Sequence, residues 1–421
     1  MKLPIIARRP LLTALLLAAA TSFAQAPKQP ARRPKPHLPP PGSSPAASNF
    51  IGVPASAVQF GDPLPGLTTD ELALFTAGLE EFENVETPEG GLGPIFNNVS
   101  CVSCHSAPAT GGASKIFVTR FGQRMDEQYD PLAALGGSLL QKAAIDPAVQ
   151  EVVPEEANVI IRRQSTPLFG LGLVEAIPDS AILENERRRK PDGVTGRAAR
   201  IEDVTTGTMR VGHFGWKAQQ ATLLAFAGDA YLNEMGVTSR FFPEENAPNG
   251  NPALLEPYDH VTDPEDAVDP ATGKGDIDFA ADFIRFLAAP PRTPVTASIR
   301  AGEVVFQRVG CAVCHTPVMM TGPHPVSALS NRPVPLYSDL LLHDMGSLGD
   351  GIAQGAARPN EMKTPPLWGL RASAPYLHDG RASTPDAAIR AHDGEGKAAR
   401  TNYLLLPPLL RQQLLEFLGS L

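Results

Sequence analysis

Two short stretches of this chain could do chemistry: Asn97 to His105 reads NNVSCVSCH, and Gly310 to His315 reads GCAVCH. Together they use all four cysteines, each pair spaced by two residues and followed directly by histidine. Three chemistries compete with a fourth for Cys101, Cys104, Cys311 and Cys314. A disulfide framework is typical of short chains that cannot build a core. A zinc ribbon sets its pairs about 15–20 residues apart, whereas Cys104 and Cys311 stand roughly 200 positions apart. A thioredoxin-like dithiol has no need of the adjoining histidine. Covalent haem attachment uses every one of these residues, because two sulfurs add across the porphyrin vinyl groups and the next imidazole reaches the iron. With nine histidines in the chain, both placements arising by accident is about a 1 in 2,000 event. The spacing predicts two covalently bound c-type haems, with His105 and His315 as proximal ligands.

The flanks of the two motifs share a spacing, Phe96-x4-Cys101 and Phe306-x4-Cys311, which predicts two related cytochrome-c-like units. Before the second motif, ASIRAGEVVFQRV reads as an entrance helix ended by Gly310. Thr68 to Glu83 opens with a Thr68-x-x-Glu71 capping box and lines up Leu72, Phe75, Leu79 and Phe82 on one face. Lys217 to Met235 reads as a long helix stopped by Gly236, Asp276 to Ala288 as another broken by Pro290 and Pro291, and Pro407 or Pro408 starts the last. Pro 43 and Gly 37 make up about a fifth of the chain, which promises long irregular connections. The expected fold class is mainly α, with two cytochrome-c-like haem domains and long irregular loops.

The N-terminus has basic Lys2, Arg8 and Arg9, an apolar run from Leu11 to Ala20, and small residues Ser22 and Ala24 before Gln25. That is the layout of a cleaved export signal over residues 1–24, too short in its apolar run to span a bilayer. Residues 25–49 carry eight prolines and almost nothing to bury, as a disordered tether would. Domains are expected over 50–290 and 291–421, with PPRTP at the boundary. The first is too large for a bare cytochrome c and must carry extra machinery. The first 49 residues hold seven Lys or Arg and no acid, so the rest of the chain carries −16 against −9 overall. An acidic body disfavours nucleic acid and suits a soluble partner with a basic docking face. The acidic loop from Asp263 to Asp278 offers oxygen ligands for Ca2+ but lacks the EF-hand pattern, and a solvated loop explains it as well.

The segments RQSTPLFGLGLVEAIPD, GHFGWKAQQATLLAFAGDAYLNEMG, SDLLLHDMG, KTPPLWGL and YLHDGRASTPDAAIRAHDGEG, in this order, resemble the bacterial di-haem oxidoreductase family. That family is related to the di-haem cytochrome c peroxidases and to the methylamine-dehydrogenase maturation enzymes, and the resemblance runs from about Gly52 onward. It implies an exported, periplasmic oxidoreductase that reduces hydrogen peroxide or a related oxidant. Electrons would come from a small soluble donor, a cytochrome or cupredoxin, and pass from the C-terminal to the N-terminal haem. Candidates for the far side of the second iron are His343, His378, His392, Met345 and Met362; the resemblance points to His392. No histidine stands between His105 and His213, so the first iron is expected open, with Met125 and His213 as alternatives. The resemblance puts Glu234 in the role of proton-transfer acid and base, with Glu175 in reserve, and Trp216 between the haems as an electron relay or a core aromatic. Trp368 shares that ambiguity. Arg162 and Arg163 are candidate propionate anchors, as are His378 and Arg381. Two other functions fit the same motifs: a non-enzymatic electron carrier with both irons closed, and a maturation oxidase acting on a partner protein.

Overall fold

Thr68 starts the first helix as its capping box predicts. In the computed structural model, which describes residues 58–126 and 128–421, the Glu71 amide donates to Thr68 Oγ1 at 3.3 Å and the Thr68 amide donates to Glu71 Oε2 at 2.7 Å. The expected leader 1–24 and tether 25–49 lie outside the described residues. The helix, Thr69–Phe82, buries Phe75, Ala77, Gly78 and Phe82. Leu72 is 42% exposed, so the buried stripe is rotated from the one the leucines suggest. The partner helix, Asp276–Phe286, sets the rotation: a Cβ at Gly78 would collide with the Phe279 carbonyl, so the two backbones touch there. Phe82 then packs on Phe283 with ring centres 4.8 Å apart.

The same device recurs at the other end of the chain. Helix Ala297–Arg308 crosses helix Pro408–Leu418 where Gly302 meets the Gln413 carbonyl, and Phe306 packs on Phe417 at 5.3 Å. Thr296 Oγ1 caps the entrance helix, and Gly310 ends it at φ +96°, a conformation that favours glycine. Gly78-x3-Phe82 and Gly302-x3-Phe306 are therefore equivalent, and each phenylalanine lies against its own motif histidine, His105 at 6.1 Å and His315 at 6.3 Å. This corrects the Phe96 pairing: Phe96 sits in the short strand Ile95–Phe96, and Phe82 occupies the place equivalent to Phe306.

Among the described residues helices account for 34% and strands for 16%, so the helix pairs are only part of the architecture. After the first motif, Phe117–Met125 forms the centre of an antiparallel sheet with Gln128–Asp130, Leu139–Leu140 and Val159–Gln164. Alternating β-branched and aromatic residues, FVTRF and VIIRR, explain the choice. The long helix expected over Lys217–Met235 is also corrected. Only Leu223–Ala230 is α-helical, capped by Thr222 Oγ1, and a π-turn over Tyr231–Met235 carries it to Gly236. Lys217 is pulled out of any helix because its ammonium, fully buried, pairs with Asp350 at 2.9 Å and donates to the Glu361 carbonyl.

One large apolar core joins the first helix pair to Leu223, Tyr231 and the Val334–Leu341 stretch, and a smaller core lies within the last helices. Among the described residues no helix is long and apolar enough to cross a membrane. The close helix crossing yields a prediction: Gly302→Ala should lower stability by about 1–3 kcal/mol through forced separation of the helices. A chemical-denaturation midpoint shifted down at unchanged slope would bear this out, and an unchanged midpoint would contradict it.

Candidate functional site

Each motif is one turn of helix followed by an oriented imidazole. Cys101–Cys104 forms the first turn and Cys311–Val313 the second, and all four thiols are free of disulfides. Burial pushes the Cys101 thiol far up and Cys311 up to about 12, so neither is a thiolate near neutrality. Such protonated, buried thiols are poor partners for redox exchange. His105 Nδ1 lies 2.9 Å from the Gly112 carbonyl and His315 Nδ1 lies 3.0 Å from that of Tyr337. Burial lowers both histidines, His315 to about 4 with His392 as the next cause. A neutral ring donating through Nδ1 keeps its Nε2 lone pair for a metal.

Across from His315 stands His392, at the C-terminus of helix Pro385–Ala391, with ring centres 6.5 Å apart. Its Nδ1 lies 2.8 Å from the Ala388 carbonyl, which leaves its Nε2 free as well. Two imidazoles bonded to one iron at about 2 Å each have ring centres about 6 Å apart, so the observed gap fits one iron. The cavity between them is lined by Cys311, Cys314, Ile389, Leu367 and Trp368, with Lys363 among the lining groups. Burial holds the Lys363 amine down to about 8, with Asp339 opposing. An apolar slot with a buried amine suits a flat macrocycle bearing carboxylates. His378 also lines it, with a buried Nε2 that has no protein partner, and burial lowers this ring to about 4.

The first motif has different company. Glu234 sits in the π-turn, a geometry often found at functional sites, and its carbonyl accepts from the Asn97 and Asn98 amides at 2.8 and 3.1 Å. Asn98 Nδ2 in turn lies 3.6 Å from Cys104 Sγ. Burial raises the Glu234 carboxyl to about 7, with the nearby Arg120 charge opposing. Glu234 Oε2, Asn97 Nδ2 and Arg120 Nε are buried with no protein partner. Orphaned polar atoms beside an attachment motif mark a place for a small polar molecule. Neither alternative ligand fits the first iron: Met125 is 58% exposed on its strand, and both ring nitrogens of His213 lie within 3.1 Å of backbone carbonyls.

The RQSTP segment joins the two sites. Trp216 Nε1 donates to the Gln164 carbonyl at 2.8 Å, and Ser165 Oγ donates to the Cys104 carbonyl at 2.8 Å. Trp216 also lines the second cavity, edge-on to His378 at 6.2 Å. The tryptophan therefore contacts a segment that is itself bonded to the first motif.

Other candidates are occupied elsewhere. Glu175 accepts from the Leu223 amide and from Arg285, a structural role. Arg163 spends its guanidinium on Asp350 at 2.7 Å and on Gln354, and exposed Arg162 lies over the Phe117 ring at 5.5 Å. Arg381 is turned toward solvent and paired with Asp379. None of these three arginines lines the second cavity. From the acidic loop, Asp263 and Glu265 meet Glu245, all three within 4.8 Å of one another. Sequence reasoning does not reach Arg120, Asn97 or Lys363; only the strand alternation around Arg120 could have hinted at an inward-facing charge.

Residues 145–421 match the family described as "Di-haem oxidoreductase, putative peroxidase". No curated protein matches the chain. Among solved structures, similarity is found to hydrazine synthase of Kuenenia stuttgartiensis, with 16% identity, TM-score 0.38, and coverage of 93% of this chain and 100% of that one. A MauG-like protein associated with microbial copper homeostasis gives 15% identity and TM-score 0.37, covering 90% and 95%. The diheme peroxidase BthA from Burkholderia thailandensis gives 15% identity and TM-score 0.37, covering 91% and 94%. The family match spans about two thirds of the sequence and includes the second motif, His392, Glu234 and Trp216. The chain belongs to the di-haem oxidoreductase family and is an oxidoreductase.

Proposed function

We propose that this protein is an exported di-haem c-type cytochrome that reduces hydrogen peroxide or a related oxidant in the periplasm. One haem is held by Cys101, Cys104 and His105 in the 50–290 region, and the other by Cys311, Cys314, His315 and His392 in the 291–421 region. The observation that carries this reading is the unlike surroundings of the two motif histidines. His315 faces a second imidazole at 6.5 Å, whereas the first motif adjoins a buried carboxyl with a free oxygen. When bound, the haems supply one-electron redox chemistry and a site where an O–O bond can be cleaved.

The chain does the rest. His392 closes the second site, which suits it to electron input, and the orphaned Asn97, Arg120 and Glu234 groups orient an oxidant at the first. The Glu234 carboxylate takes a proton from the near oxygen of the peroxide and delivers it to the far one, so that the latter leaves as water. Trp216, bonded to the Gln164 carbonyl and beside His378, is the relay between the sites. The acidic body suits a small donor with a basic face, a cytochrome or a cupredoxin.

Glu234→Gln should lower peroxide turnover by about 10²–10⁴-fold with both haems still attached. In the parent protein kcat/KM should fall as pH drops below about 7, because the raised carboxyl must first be ionised to accept a proton. Loss of that acid limb in the Gln variant would tie it to Glu234; an unchanged profile would remove Glu234 from the chemistry. Attachment is tested separately by intact mass after acid denaturation. The mature protein should start at Gln25 and retain two haems, and the double variant Cys101→Ala/Cys104→Ala should retain one.

A further inference from the structure

We propose that His343 is a positioning residue, clamped between Asp339 and Glu395, that fixes the His392 loop opposite His315. This rests on the reading that His392 would hold the second haem's iron together with His315, and adds what holds His392 there. His343 is 1% exposed, with Nε2 3.0 Å from Asp339 Oδ2 and Nδ1 2.5 Å from Glu395 Oε2. Each carboxylate is tied to one side of the second site. The Asp339 amide donates to the Cys314 carbonyl at 2.9 Å, beside the proximal histidine. Glu395 follows His392 by three residues, on the loop that turns back after the distal histidine. A single chain of bonds thus runs from the attachment motif through Asp339, His343 and Glu395 to the loop on the opposite face.

The loop is held from outside as well. Glu395 accepts from Thr195 Oγ1 at 2.6 Å and from the Thr195 and Gly196 amides at 3.2 Å. The His343 ring lies directly on Gly196, where an added Cβ would stand 2.5 Å from its Cε1, so only glycine lets the ring reach both acids. Lys190, 3.6 Å from Asp339, completes a buried set in which two carboxylates are matched by cations. Charge-assisted bonds at both ring nitrogens make this a stiff connection, and stiffness is what a ligand gap set to one iron requires. Nothing in the proton chemistry of the first site uses His343, so the clamp acts on the second site alone.

The test uses the haem-loaded full chain in the ferric state and reads the spin state of each haem by electron paramagnetic resonance, with and without added imidazole. Glu395→Ala should turn part of the second haem high-spin and let imidazole bind it at least about tenfold more tightly than in the parent. Glu395→Gln, whose carbonyl can still accept from the ring, should stay close to the parent spectrum. Should Glu395→Ala fail to retain haem, Thr195→Val, which removes only the hydroxyl bond to Glu395, should show the same change to a smaller degree. His392→Ala is the reference and should turn the second haem wholly high-spin. If it does so while Glu395→Ala and Thr195→Val keep the parent spectrum and take up no imidazole, the clamp is overturned and the ligand reading stands. If His392→Ala leaves the haem low-spin, the ligand reading itself falls, and the clamp with it.

Discussion

A backbone carbonyl on the Nδ1 side of each motif histidine is the constraint from which the rest follows. The Gly112 carbonyl holds His105 and the Tyr337 carbonyl holds His315, both within 3.0 Å. Burial keeps each ring neutral, so the one remaining lone pair points away from that carbonyl. Phe82 and Phe306 press against these rings, and each phenylalanine is placed by a helix crossing that only glycine permits. The two helix pairs are thus devices for aiming two imidazoles, and the sheet and loops between them decide what each imidazole meets.

What they meet differs, and the difference is electrostatic as much as steric. Around the second motif a set of charges is matched internally: His343 with Asp339 and Glu395, Lys190 with Asp339. Burial alone would lower His343, but hydrogen bonds to Asp339, Cys314 and Glu395 outweigh it and hold the ring protonated. Around the first motif the polar groups are left short of partners, and Glu234 is raised toward neutrality mainly by desolvation. A satisfied network rigidifies, whereas an unsatisfied one waits for a ligand. The two motifs therefore differ in surroundings: one adjoins matched buried charges, the other unpartnered buried polar atoms.

The local signals were legible in the sequence. Two Cys-x-x-Cys-His motifs, the Thr68 capping box and the Ala297–Arg308 helix are each written within a few adjacent residues, so short-range chemistry fixes them. What failed depends on distant partners. Phe82 replaces Phe96 because the helix crossing at Phe279 places it, nineteen positions before Cys101 by number but adjacent in space to the motif histidine. The Lys217–Met235 stretch has helical composition, yet Asp350 captures Lys217 and Thr222 begins the helix late. Leu72 fits the apolar period but faces water because Gly78 draws the opposite stripe inward. Arg120 and Asn97 belong to the first site only through the fold, and no local pattern marks them.

The central claim is that one of the two haems is closed by protein on both faces and the other is open to a small molecule. Carbon monoxide titration of the fully reduced, haem-loaded protein measures this directly. One equivalent bound per chain, with peroxide turnover abolished at that point, is the predicted result. Uptake of none, or of two equivalents of equal affinity, would contradict it.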